Sequence, residues 1–205
     1  MLLRQTISET FDCTNAPCYN QTMKKSLGIK PYIFPQPVLI LGTYDQNGQA
    51  NAMNAAWGGM ADDNEIMICL SNHKTTANLA ATKACTIAIG DVKNVIPCDY
   101  VGVASGNNVT DKIAKAGWTT TKSTTVNAPI INELPLTLEC TLVKVVDGIK
   151  YFFRIENVLA DESILTDGKI DLTKFQPITY DPAQHGYYAL GAKVGQAFAD
   201  GLKIK

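Results

Sequence analysis

Asn47-Gly48 stands between two runs that favour extended backbone. No other feature limits the available folds as strongly, because Asn and Gly both accept the positive φ of a tight hairpin turn. The run before it, residues 38–43 (VLILGT), is apolar and rich in strand formers. The run after it, residues 49–57 (QANAMNAAW), is a weak strand former. Small side chains in a strand indicate that something approaches the backbone closely. A second hairpin is expected at Asp147-Gly148, joining residues 136–146 to 149–160, and Asp167-Gly168 marks a further turn. Residues 65–71 and 84–90 read as strands on either side of a short helix over 73–83. Gly58-Gly59 reads as a turn or bulge. Residues 94–104 and 109–117 read as a helical or mixed excursion around the loop Ser105-Gly106-Asn107-Asn108, with Gly117 as a helix stop.

Six or seven strands and two or three short helices result, antiparallel wherever a hairpin is visible. Sustained β-α-β alternation is absent, which argues against a doubly wound parallel sheet. The expected class is mainly β with short helices, as a closed or nearly closed antiparallel barrel that leaves few free edges. Residues 1–22 are polar and aperiodic and are expected to be a flexible extension, with the domain at 23–205. Pro31, Pro35 and Pro37 give that domain a stiff extended entry.

At 205 residues the chain can bury a full core without disulfides or metal. Its 18 basic and 19 acidic residues give a net charge of −1, which argues against a nucleic-acid surface. No apolar run approaches the roughly 18 residues of a membrane span, and no secretory leader is evident. A cytoplasmic location is expected, with no membrane partner. Cys69, Cys85 and Cys140 lie in apolar runs, where thiols act as small hydrophobes. Cys13 and Cys18 match no metal-ligand spacing, and no metal site is expected.

Ser71, His73, Lys74, Thr75 and Thr76 crowd the strand-to-helix junction before Asn78. Any one hydroxyl there is explained by helix capping. The set reads as an anion site, because helix N-terminal N–H groups and the macrodipole favour negative charge. Lys74 opposes that dipole unless something negative lies beside it. In Asn51–Ala52–Met53–Asn54–Ala55–Ala56–Trp57, the two asparagines need partners if buried. A ring carrying carbonyl and N–H groups would supply them. Trp57 is expected to be partly core. Ser105-Gly106 reads first as a turn, and Tyr187 and Tyr188 as packing or dimer contacts. Phosphate-loop, dinucleotide-loop, nucleophile-elbow and zinc-protease motifs are absent, so any redox chemistry would belong to a bound cofactor.

The run PQPVLILGTYDQNGQANAMNAAWGGM, then SNHKTTAN, DYVGVASGNNVTDKIAKAG, VNAPIINELPLTLEC and YYALGAKVGQAFADG, resembles the flavin reductase-like family, and especially its flavoredoxin-type branch. The resemblance covers about residues 27–203. It implies a homodimer of six-stranded antiparallel split barrels, Greek-key-like in connection, with one FMN per protomer near the subunit interface. It implies that Asn51–Trp57 line the flavin ring and ribityl chain, and that Ser71, His73, Lys74 and Thr75 hold the phosphate, with Asn78 close by. Ser105 and Gly106 would border the cofactor or the other subunit. Several relatives carry a nicotinamide-facing His in the hairpin that here reads Val146-Asp147-Gly148-Ile149. Its absence leaves two roles open. One is an NAD(P)H-dependent reductase of free flavin or another small acceptor; the other is an electron carrier with tightly held FMN that serves a redox protein. A barrel holding another phosphorylated ligand or haem is the third alternative.

Overall fold

The computed structural model describes residues 23–204. The extension expected at 1–22, with Cys13 and Cys18, lies outside them. Residues 23–31 are exposed and carry neither helix nor strand. Tyr32 opens the compact unit that holds the strands and helices described below.

Seven strands form one antiparallel sheet: β1 (Leu39–Tyr44), β2 (Ala50–Ala55), β3 (Gly58–Asp62), β4 (Glu65–Cys69), β5 (Ala84–Ile89), β6 (Leu136–Val146) and β7 (Lys150–Ala160). Their order is β2-β1-β5-β6-β7-β4-β3. The two edge strands, β2 and β3, are consecutive in the chain and joined only by Ala56 and Trp57. In a flat sheet six strand spacings would hold them about 29 Å apart, whereas three residue steps reach about 11 Å at most. The sheet must therefore curl until its edges nearly meet, which makes it a split barrel.

Turn chemistry sets the hairpins. Asp45 Oδ1 accepts from the N–H groups of Asn47 (2.9 Å) and Gln49 (3.0 Å), and Gly48 has φ +79°. Asp147 and Gly148 both have positive φ, as a two-residue hairpin turn requires. The seventh strand is β3, read from the sequence as a turn because of Gly58-Gly59. A Cβ on Gly58 would lie 2.9 Å from Ile68 Cγ1, so this glycine lets β3 pair closely with β4.

Alternation along β1 explains why residues 38–43 are apolar throughout. Leu39 and Leu41 point into the barrel with Met53, Ile68, Ile87, Cys85, Cys140 and Phe153. Val38 and Ile40 point outward, under α2 (Val95–Val103), Trp118 and Ile131. Helix α1 (Lys74–Thr82) closes the barrel mouth with Leu79 and stops at Lys83, which has φ +57°. Two buried bonds pin α1 to the first hairpin: Asn51 Nδ2 donates to Thr75 Oγ1 (2.9 Å) and Asn78 Nδ2 to Thr43 Oγ1 (3.0 Å). The excursion after β5 contains α2 and a single turn of helix, α3 (Lys112–Lys115).

Strands β8 (Ile178–Asp181) and β9 (Gly186–Ala189) pair with each other, and β8 also pairs with Gln36–Pro37. The amphipathic end expected over 194–202 is a short 3₁₀ turn, Asp200–Lys203, with Val194, Phe198 and Leu202 exposed. Among the described residues no helix is long and apolar enough to cross a membrane.

Candidate ligand-binding site

A cavity of about 620 Å³ runs along β2 and the connection to β3. Met53, Asn54, Ala55, Ala56 and Trp57 form one side. Cys69, Leu70, Ser71 and His73 come from the β4–α1 junction, Asp99, Gly102 and Val103 from α2, and Tyr180, His185 and Tyr187 from the β8–β9 hairpin. Because β2 is an edge strand, alternate backbone N–H and C=O groups face away from β1. The alanines leave that edge accessible. Trp57, expected to be partly core, is 47% exposed, with its ring centroid 6.1 Å from that of Tyr180. It sits on the two-residue link between the sheet's edges.

An adjoining cavity of about 220 Å³ shares Met53, Asn54, His73, Gly102 and Val103 with the first. Asn51, Lys74, Thr75, Ser105, Gly106 and Lys112 also line it, with Val101 and Ala104 of the α2 end. Lys74 Nζ lies 3.1 Å from Asp45 Oδ2, so a carboxylate of the first hairpin accounts for a cation at the start of α1. The Gln49 backbone N–H, then Lys74, holds Asp45 below the usual carboxylate range.

Lys112 is 3% exposed. Its Nζ donates to the carbonyls of Val101 (3.1 Å) and Ala104 (2.9 Å) at the C-terminal end of α2, where the helix dipole favours a cation. Burial pulls its pKa down to about 8. An ammonium has three donors, and among the described residues the third finds no partner. No carboxylate lies within ion-pair distance of Lys112 among the described residues. The cavity's lining carries two amines, Lys74 and Lys112, and no carboxylate, which leaves it positive beside the Asp45–Lys74 pair. Gly106 forms its floor, where an added Cβ would lie 2.2 Å from Asn51 Oδ1.

The residues singled out from sequence divide between these spaces. Asn54 through Trp57 line the larger cavity, and Asn51, Lys74, Thr75, Ser105 and Gly106 line the smaller. Met53, Asn54 and His73 reach both, and Ser71 faces the larger, where its Oγ lies 2.9 Å from His73 Nε2. The Ala52 side chain packs in the outer core, and Asn78 is buried beneath α1. The partners that the asparagines need come from the protein itself. Asn51 uses Thr75, and Asn54 Nδ2 donates to the Cys98 carbonyl at 3.0 Å. Cys85 and Cys140 are fully buried, whereas Cys69 is half-buried on the cavity wall. Lys112, Asp99, Tyr180 and His185 carry no sequence signal, and Tyr187 reads from sequence as a packing or dimer contact. Its hydroxyl donates to Asp99 Oδ1 (2.9 Å); burial first, then this bond, pushes the phenol pKa up.

Residues 32–190 match the model of the Flavin reductase like domain. The chain belongs to the flavin reductase-like family. Its split barrel is similar to that of flavoredoxin from Desulfovibrio vulgaris (Miyazaki F), with TM-score 0.84 and 34% identity over 87% of this chain and 100% of that one. Flavoredoxin from Methanosarcina acetivorans aligns with TM-score 0.79 and 25% identity, covering 89% of this chain and 100% of that one. An FMN-binding domain of a flavin reductases-like enzyme from Shewanella baltica shares the fold, with TM-score 0.71 and 18% identity over 78% and 89% of the two chains. Among curated proteins no sequence matches this chain. In this flavin reductase-like barrel, no group of three or more His, Cys, Asp or Glu residues is placed to hold a metal among the described residues.

Proposed function

We propose that the chain binds one FMN per protomer and uses it to pass electrons from NADH or NADPH to free flavin or another small acceptor. One observation carries this reading: a cavity along a free strand edge opens at one end onto a positive pocket floored by glycine. The flavin ring has carbonyl and N–H groups that suit the outward-facing backbone groups of edge strand β2. Its phosphate suits Lys112, Lys74, Thr75 and Ser105, and a Cβ at Gly106 would press on the Asn51 and Lys74 side chains that line the same pocket. Bound FMN would supply the hydride and electron chemistry. The protein's own residues orient the ring, hold the phosphate and restrict water, and no acid–base pair is needed for them to do so.

The test is anaerobic reduction. NADH or NADPH should bleach the flavin absorption of the FMN-loaded protein, with turnover of added free flavin in the steady state. Bleaching by dithionite but by neither nicotinamide would remove the reductase part of the reading. A second reading is then favoured, an electron carrier with tightly held FMN and a redox-protein partner. The β6–β7 turn supports it, since Asp147-Gly148 carries no His although neighbouring Ile149 lines the cavity. A carrier would turn over little free flavin.

We also read the chain as a cytoplasmic homodimer. Helix α2 is apolar on most of its surface, with Ile96 82% and Val103 78% exposed. A helix apolar all round is normally covered. Val103 also lines both cavities, so a second copy seated on α2 would help to enclose the ligand. Ile96→Asp should shift the protein from dimer to monomer in sedimentation and weaken FMN retention; an unchanged dimer would remove α2 from the interface.

A further inference from the structure

The β8–β9 hairpin brings a second histidine to the cavity. Four residues, Pro182 to His185, connect the strands, with the Asp181 side chain accepting from the Ala183 N–H (2.7 Å) and the His185 N–H donating to the Asp181 carbonyl (2.9 Å). His185 has φ +60°, an uncommon conformation for a residue with a side chain, and one that tends to persist where function requires it. Its Nδ1 lies 2.6 Å from the Tyr180 hydroxyl. Tyr180 in turn packs against Trp57 and Tyr187, with ring centroids 6.1 and 5.9 Å away. The imidazole is thus held by one nitrogen, while Nε2 has no partner among the described residues.

The other titratable groups on this wall are committed. The Tyr187 proton is held by Asp99, and Asp99 accepts it. The ring of His73 is bonded to Ser71. The Cys69 thiol points at Met67 Sδ, 3.8 Å away. Asp181 accepts from the Ala183 N–H within the hairpin turn and does not line the cavity. Histidine is the side chain suited to exchanging a proton near neutral pH.

We propose that His185, positioned by Tyr180, is the proton-exchanging residue that balances charge when the ligand in this cavity is reduced. The inference rests on the FMN reading above. In the balanced step a nicotinamide donor gives up a hydride, meaning two electrons and one proton, and leaves in its oxidised form. The reduced flavin then carries one extra negative charge. The imidazole of His185 takes one proton from water and becomes imidazolium, so the cavity's charge is unchanged. Tyr180 is a positioning residue: its hydroxyl fixes which nitrogen faces the cavity.

The chain has only two histidines, so imidazole signals can be followed by NMR, with His73→Gln and His185→Gln giving the assignment. The titration midpoint of His185 is measured in the apoprotein, in the FMN-loaded protein, and in the loaded protein reduced by dithionite. Reduction should raise the His185 midpoint by about one pH unit, because a nearby negative charge favours imidazolium, and should move His73 less. Tyr180→Phe should reduce that shift without releasing FMN. A His185 midpoint that is the same in oxidised and reduced loaded protein overturns the inference while leaving the FMN reading intact. A protein that cannot be loaded with FMN overturns the reading itself.

Discussion

Replacing Lys112 with Met should separate the two halves of the ligand. Lys112 is almost completely buried and has one donor left over. A hydrogen bond from a buried cation to a charged acceptor contributes about 1.5–3 kcal/mol. Lys112→Met should therefore weaken FMN binding by about 10- to 150-fold. Riboflavin, which has the same ring and no phosphate, should bind wild type and variant equally. Fluorescence titration of apoprotein with both ligands measures this directly. The fold should survive. The fall in Lys112 pKa from 10.5 to about 8 corresponds to roughly 3 kcal/mol of unfavourable burial, which the Met side chain removes. The loss of two bonds to Val101 and Ala104 opposes that gain at about 1 kcal/mol each. The sign of the pH dependence follows. Between about pH 8 and 10.5 the unfolded chain binds more protons at this lysine than the folded one, so its contribution makes stability rise with pH in that window. Phosphate favours the charged form. FMN affinity should therefore fall above pH 8, by at most about tenfold per pH unit, and Lys112→Met should abolish that dependence. Equal losses for FMN and riboflavin, or no loss for either, would refute the phosphate assignment.

Lys74→Ala should weaken FMN binding less than Lys112→Met in the same titration, because Asp45 already neutralises Lys74. Gly106→Ala places a methyl group against Asn51 Oδ1, and Asn51 is held by Thr75; a thermal melt should show a loss of about 1–3 kcal/mol, with weaker FMN retention. Thr75→Val leaves the Asn51 amide without its buried acceptor and should cost about 1–3 kcal/mol in denaturant unfolding. Phe153→Ala hollows the barrel interior and should cost about 3–5 kcal/mol by the same measurement.

The parts legible in the sequence are those written in local chemistry. Asn47-Gly48 and Asp147-Gly148 specify their turns through the backbone conformations they permit, and the hairpins form where expected. Apolar runs on both faces of β1 reflect two separate cores, which the sequence shows only as a continuous apolar stretch. β3 was hidden because Gly58 serves a close cross-strand approach to Ile68, and a Gly pair by itself resembles a turn. The helix-start cluster was visible, but its division between two cavities was not, since it depends on which side of α1 each residue faces. Lys112 looks like an ordinary surface lysine until the carbonyls at the end of α2 are placed against it. The β8–β9 hairpin reaches the cavity region as part of a sheet with Gln36–Pro37, a pairing that leaves no local signature. Asn51 and Asn54 did need partners, and the protein supplies them.

The most direct test is the chromophore of the protein as purified. Heat release followed by chromatography should yield FMN at close to one per chain, and apoprotein should rebind it with quenching of flavin fluorescence. A colourless protein that neither releases a flavin nor binds added FMN would contradict the proposed function, whatever the shape of the barrel.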